Sequence, residues 1–110
     1  MRIPTVSVDG IPDPIPDDIT VVDVREDGEW QAGHIAGSLH IPLFELPARV
    51  TEMPEGQLLV VCKVGARSAQ AVGYLAQYGH DAFNLDGGLL DWQAAGRALV
   101  TDSGATPYVA

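Results

Sequence analysis

The segment "LLVVCKVGARSAQAV", Leu58 to Val72, constrains the fold of this chain more than any other. Four consecutive apolar residues precede Cys62, with no polar alternation. A strand written this way is covered on both faces, which is the situation inside a parallel sheet flanked by helices. A glycine-bearing turn follows, and the spacing then predicts a helix from Ala66 to Tyr78. Ala69, Val72 and Ala76 fall at i, i+3 and i+7 with Leu75 beside them, and Gly79 stands at the stop position.

The same grammar extends along the chain. "TVSV" (5–8) reads as a weak first strand and "ITVVDV" (19–24) as a strong β-branched one. Between them, the prolines of "GIPDPIPDD" forbid a regular helix. "REDGEWQAG" predicts a short acidic helix stopped by Gly33, and "LHIPL" a short strand ended by Pro42. Residues 43–50 read as an irregular helix with Pro47 near the start of its regular part. "AFNL" is a further strand, "DGG" a turn, and 89–95 a last helix closed by Gly96. Strand and helix alternating with short connections predict an α/β domain, a mainly parallel sheet with helices on both faces. The 110 residues suffice for one domain, with a core over about 5–97 and a loose tail over 101–110.

Composition narrows the function classes. The formal net charge is −9, which argues against nucleic acid and anionic membranes as partners. No apolar run reaches the length of a membrane span, and "MRIPTVSVDG" carries no long apolar stretch of the signal-peptide kind, so a cytoplasmic location is expected. Cys62 is the single cysteine, so no internal disulfide can form and a four-cysteine zinc site is excluded; no metal or cofactor is expected.

In an open parallel sheet, ligands bind beyond the carboxyl ends of the strands. Asp23, Cys62 and Asp86 stand at such ends. Cys62 opens a strand-to-helix loop whose free amides, at the start of the following helix, point at whatever the loop holds. Gly65 lets that loop curl tightly. The chain has only six Lys and Arg residues, and Lys63 and Arg67 both lie in this loop. Amides and cations together lower a thiol's pKa, and the thiolate is the nucleophile. The loop therefore reads as an anion cradle, formed by Lys63, Val64, Gly65, Ala66 and Arg67 and closed by Ser68, around a reactive Cys62. His34 is expected to bond backbone, Trp30 and Trp92 to anchor the core, and Asp17 and Asp18 to face solvent.

"CKVGARS" resembles the active-site loop of rhodanese-like sulfurtransferases, Cys-x-x-Gly-x-Arg-Ser. "VVDVREDGEWQAGHIAGSLHIPL" is similar to the family's Asp-x-Arg segment and its following Gly-His-Ile-x-Gly turn. "NLDGGLLDWQAAG" is similar to its Gly-Gly-x-x-x-Trp segment. The resemblance implies a three-layer α/β/α domain around a five-stranded sheet. It implies a Cys62 persulfide that takes sulfur from a small donor anion such as thiosulfate and yields it to cyanide, a thiol or an acceptor protein. It makes Cys62 the sulfur carrier, Lys63 and Arg67 the donor-anion contacts, and Asp23 and Arg25 the scaffold beside the site. The chain departs from the family where "PDPIPDD" stands in place of a helix, and where the glycine turn ends "AGS" instead of Pro-Gly-Ala.

Two other readings compete. Phosphatases and arsenate reductases of the related type carry Cys-x5-Arg, whereas four residues separate Cys62 from Arg67 here. A binding or regulatory module would keep the fold and do no chemistry; such modules typically lose the cysteine or the loop charges, and both are present.

Overall fold

The computed structural model describes residues 2–110. Its five strands are β1 (Thr5–Val6), β2 (Ile19–Asp23), β3 (Leu39–His40), β4 (Gln57–Val61) and β5 (Asp81–Leu85). Its α-helices are α1 (Asp27–Ala32), α2 (Leu46–Arg49), α3 (Ala66–Gln77) and α4 (Gly88–Ala94). The strands form one sheet in the order β1-β5-β4-β2-β3, every pair parallel. The expected α/β architecture is thus present, with β4 at the centre of the sheet.

Side-chain alternation along the central strands divides the core in two. Val22, Leu58, Val60 and Cys62 face one layer, where they meet Ala71, Val72 and Leu75 of α3 and Leu46 of α2. Val21, Leu59 and Val61 face the other, against Leu89 and Trp92 of α4 with Val8, Ile11 and Ile35. This two-sided cover is why β4 is apolar without interruption: residues 58–61 are all buried. The alternation also fixes the side on which the thiol lies. Cys62 is even in register with Leu58 and Val60, so it points toward α3.

Three local expectations differ. The buried stripe of α3 is Ser68, Ala71, Val72 and Leu75: Val72 and Leu75 face inward as expected, whereas Ala69 is half-buried and Ala76 is exposed. Alanine suits either side of the stripe, and the sheet selects Ala71 and Ser68 in place of Ala69 and Ala76 beside Val72 and Leu75. Gly33 ends α1 in extended backbone, φ 167°, not in a left-handed cap. A Cβ there would lie 2.6 Å from the Tyr108 carbonyl oxygen, so close packing is what demands a glycine. That contact belongs to the third difference, for the end of the tail expected to be loose, residues 107–110, is docked, while 102–106 are exposed. The Tyr108 amide donates to the Ala32 carbonyl at 3.0 Å, the Val109 amide to Gln93 Oε1 at 3.2 Å, and Val109 packs on the second core layer. Just before it, His34 and Val100 exchange backbone hydrogen bonds of 3.0 and 2.8 Å. The tail's small, polar composition concealed these anchors, which are mostly backbone groups.

Among the described residues, no helix is long and apolar enough to cross a membrane. The proline-rich segment after β1 holds only a short 3₁₀ turn, Val8–Gly10, in keeping with its composition.

Candidate active site

Cys62 is the first residue beyond β4, and the loop 62–65 delivers the chain into α3. Gly65 is the residue before the helix and has φ 104°, a left-handed conformation that a side chain would oppose. This curl turns amides back toward the sulfur. The Gly65 N–H donates to Sγ at 3.1 Å, the Ser68 N–H donates at 3.4 Å, and Ser68 Oγ lies 3.2 Å from Sγ. Burial pushes the thiol's pKa up. The Ser68 hydroxyl and the amides of Ser68, Gly65 and Val64 pull it down, and the balance falls below the ordinary thiol value. Cys62 is only 1 % exposed, as deep as the surrounding core, yet its sulfur faces a polar ring of donors.

A second glycine holds the loop from below. The Leu89 amide donates to the Cys62 carbonyl at 2.9 Å and the Leu90 amide to the Lys63 carbonyl at 3.1 Å, so α4 begins directly beneath the cysteine turn. Gly88 makes this approach possible, because a Cβ there would lie 2.6 Å from the Cys62 carbonyl oxygen, and its φ is 61°. Gly88→Ala is expected to cost about 1–3 kcal/mol in chemical unfolding and to displace the loop. Thiosulfate turnover should fall with it; unchanged stability and turnover together would contradict this packing.

The cations are arranged differently from the sequence expectation. Arg67 forms a bidentate pair with Glu29 of α1, with Nη1 to Oε1 at 2.6 Å and Nη2 to Oε2 at 2.8 Å. Its charge is shared with that carboxylate instead of being spent wholly on the cradle. Lys63 is half-buried in the loop and Val64 is exposed. The leading causes that lower the Cys62 pKa are hydrogen bonds from the Ser68 hydroxyl and the loop amides, so of the amides and cations expected to act together the amides lead. Ala66 opens the helix and faces outward, contributing backbone alone.

Glu29 was missed by sequence reasoning. Its only local signal is its position three residues beyond Glu26, whose amide donates to Glu29 Oε1 at 3.0 Å. The Arg67 hydrogen bonds hold its carboxyl down at about 2, against the opposing pull of partial burial. A carboxylate so depressed adds stability that is complete above the unfolded carboxyl range and is lost as the pH falls toward 2. The difference in unfolding free energy between the natural protein and Glu29→Gln is therefore expected to shrink over that window. A difference that stays constant from neutrality to pH 2 would contradict the pairing.

Asp23 and Arg25 sit behind the loop as a buried pair. Arg25 Nη2 donates to Asp23 Oδ2 at 2.8 Å and to the Gly33 carbonyl at 2.7 Å, and Nε bonds both carboxylate oxygens. Both side chains are fully buried. Among the described residues, Arg25 Nη1 is the one buried side-chain nitrogen or oxygen without a hydrogen-bond partner. The pair ties the end of β2 to the end of α1, and so positions Glu29 for Arg67. Asp86, at the end of β5, is exposed and takes no part in the cradle. Asn84, two residues earlier and unnoticed in the sequence, accepts from the Ser68 hydroxyl instead. His34 bonds the Trp30 carbonyl through Nδ1 at 2.8 Å, Trp92 is buried in the core, and the half-buried Trp30 is stacked between His34 and His40. No cluster of three or more possible metal ligands occurs among the described residues.

A parallel sheet with a cysteine at the carboxyl end of its central strand, in a loop of converging amides, defines a class of small thiol-bearing α/β domains. The sequence model of the Rhodanese-like domain matches residues 11–95, and the chain belongs to that family. A protein named Sulfurtransferase from Allochromatium vinosum is 37% identical over 90 residues, covering 80% of this chain and 84% of its own. The HTH-type transcriptional regulator Rv0324 of Mycobacterium tuberculosis is 38% identical over 80% of this chain, which spans only 39% of that longer protein. The crystal structure of a rhodanese-related protein from Thermoplasma volcanium superposes with a TM-score of 0.84 at 32% identity, covering 90% of this chain and 99% of that one.

Proposed function

We propose that the protein is a sulfurtransferase that carries sulfane sulfur on Cys62, with thiosulfate as a donor. The observation that carries this reading is the convergence of the Gly65 and Ser68 amides on a buried Sγ, with the Ser68 hydroxyl beside it. Such a ring favours the anionic sulfur in both of its forms, the thiolate and the persulfide.

The chemistry balances without a redox partner. The Cys62 thiolate attacks the outer sulfur of thiosulfate, a new S–S bond forms, and the old one breaks with its electron pair leaving on sulfite. The persulfide anion then occupies the loop, within reach of the amides that held the thiolate. Cyanide or a thiolate attacks the outer sulfur, and Cys62 leaves as the thiolate. These 110 residues hold one cysteine, so no second thiol within them can resolve the persulfide. Discharge therefore goes to an external acceptor, a small thiol or another protein, and the reducing cytoplasm is the fitting compartment. Lys63 and Arg67 are the contacts for the donor's sulfonate end, Arg67 by sharing its guanidinium with Glu29.

Intact-mass spectrometry after incubation with thiosulfate tests the proposal. The expected result is a gain of one sulfur atom, reversed by cyanide and absent in Cys62→Ser; no gain in the natural protein would overturn it. The match to a transcriptional regulator favours a second reading, in which the domain serves as a binding module. No sulfur uptake by the natural protein, with its fold intact, would support that alternative. The shared Arg67 charge yields a further expectation. Glu29→Gln frees the guanidinium and should lower KM for thiosulfate severalfold, by strengthening a charge-assisted contact. A higher KM in that variant would mean that Glu29 is needed to position Arg67.

A further inference from the structure

Ser68 lies between two partners and has one proton to give. Its Oγ is 3.2 Å from Cys62 Sγ on one side and hydrogen-bonded to the side-chain amide of Asn84 on the other. Ser68 is fully buried and Asn84 is 6 % exposed, so water cannot freely complete either bond. Asn84 is fixed on β5, where its backbone N–H donates to the Pro4 carbonyl at 2.8 Å and its neighbours pair with β4.

In the arrangement seen, the Ser68 proton points at Asn84 Oδ1. The hydroxyl then faces sulfur with a lone pair, which suits a thiol, whose S–H can donate to Oγ. It does not suit a thiolate, which has no proton to offer. For the thiolate, the Ser68 proton must turn toward sulfur, and Oγ then presents a lone pair to Asn84. An amide that keeps Oδ1 there opposes it, oxygen against oxygen. Rotation of the amide by half a turn replaces Oδ1 with the Nδ2–H donor and restores both bonds.

We infer that Asn84 is a positioning residue whose side-chain amide reverses when Cys62 changes from thiol to anionic sulfur, and so aims the Ser68 proton. The two chains are S–H to Oγ–H to Oδ1, and Nδ2–H to Oγ–H to S⁻. One proton is lost between them, the thiol's own, and it leaves to solvent; Ser68 keeps its proton throughout. A serine bonded to an acceptor-only residue could not stabilise the anion this way, whereas an amide offers a donor and an acceptor on one pivot. The charged groups around the site are Lys63 in the loop, Arg67 on α3, Asp23 and Arg25 at the end of β2 and Glu29 on α1. Among the described residues, none of them hydrogen-bonds to Ser68 or Asn84, so the reversal answers to the sulfur. The inference rests on the proposed function only in taking anionic Cys62 as the reacting form, and its test needs no turnover.

The test follows the Asn84 side-chain NH₂ resonances of the ¹⁵N-labelled natural protein by NMR across the Cys62 titration, read in parallel by thiolate absorbance. The resonances are expected to move with the same midpoint as the thiolate, and to stop moving with it in Ser68→Ala. Resonances that stay still, or that move alike in both proteins, would overturn the inference. A second arm compares Asn84→Asp in the two backgrounds. With Ser68 present, the acceptor-only carboxylate captures the hydroxyl and should raise the thiol midpoint by more than about one unit; with Ser68→Ala the rise should be less than half as large. Equal rises would show charge alone at work and contradict the reversal. Loss of this coupling with sulfur uptake intact refutes only the Asn84 role. Intact coupling without sulfur uptake refutes the proposed function instead.

Discussion

Cys62→Ser is expected to reduce thiosulfate turnover by at least about 10³-fold while leaving the fold in place. Serine fits the same space and can accept the hydrogen bonds that Gly65 and Ser68 now give to Sγ at 3.1 and 3.4 Å. What it lacks is an ionised nucleophile. A loop that stabilises an anion lowers a thiol's pKa, but a hydroxyl starts many units higher, and it cannot hold a transferable sulfur through a stable S–S bond. The change also isolates the chemistry from the architecture, because the amides, Arg67 and Glu29 stay where they are. Steady-state thiosulfate:cyanide transfer with circular dichroism on the same samples checks the claim. Turnover within tenfold of the natural protein would mean that the sulfur passes through some other route.

Asp23→Ala is expected to be the most damaging single change to stability, by about 3–5 kcal/mol. The carboxylate accepts from the Arg25 amide at 3.1 Å as well as from the guanidinium, and neither side chain touches solvent. Alanine would leave the Arg25 charge buried with only the Gly33 carbonyl as a partner. A domain of this size has a total stability of roughly 5–15 kcal/mol, so the loss is a large part of it. The effect should spread to the site, since the pair joins β2 to the α1 terminus and α1 carries Glu29 to Arg67. Urea unfolding of the variant measures the first effect. A destabilisation below about 1 kcal/mol would show that the pair is dispensable.

What could be read in the residues, and what could not, divides along the range of the interaction. The unbroken apolar run of β4, the β-branched β2 and the glycine turns are local signals, and they placed the sheet, the cysteine loop and the helix after it. The loop itself was legible because Cys62, Gly65, Arg67 and Ser68 lie within one turn of chain. Glu29 was not, because it reaches Arg67 across 38 residues and nothing in its own segment marks that contact. Asn84 is 16 residues from Ser68 and reads locally as one polar residue in a short strand. Within α3, Val72 and Leu75 face inward as read, but Ala69 and Ala76 lie outside the buried stripe, because alanine fits buried or exposed positions equally and only the sheet could decide. The docked tail was hidden because its bonds are largely made by backbone, which every sequence possesses.

The depth of Cys62 changes the balance of forces at the site. Burial alone would keep the sulfur protonated, and the hydrogen bonds must overcome it. On the proposed function, Arg67, already paired with Glu29, acts on the incoming donor more than on the thiol.

Thiolate absorbance of the reduced natural protein, recorded against pH with Ser68→Ala beside it, tests this balance most directly. The expected midpoint lies below the ordinary thiol value and rises in the variant. A midpoint at or above that value in the natural protein would contradict the claim that the loop holds Cys62 as a nucleophile.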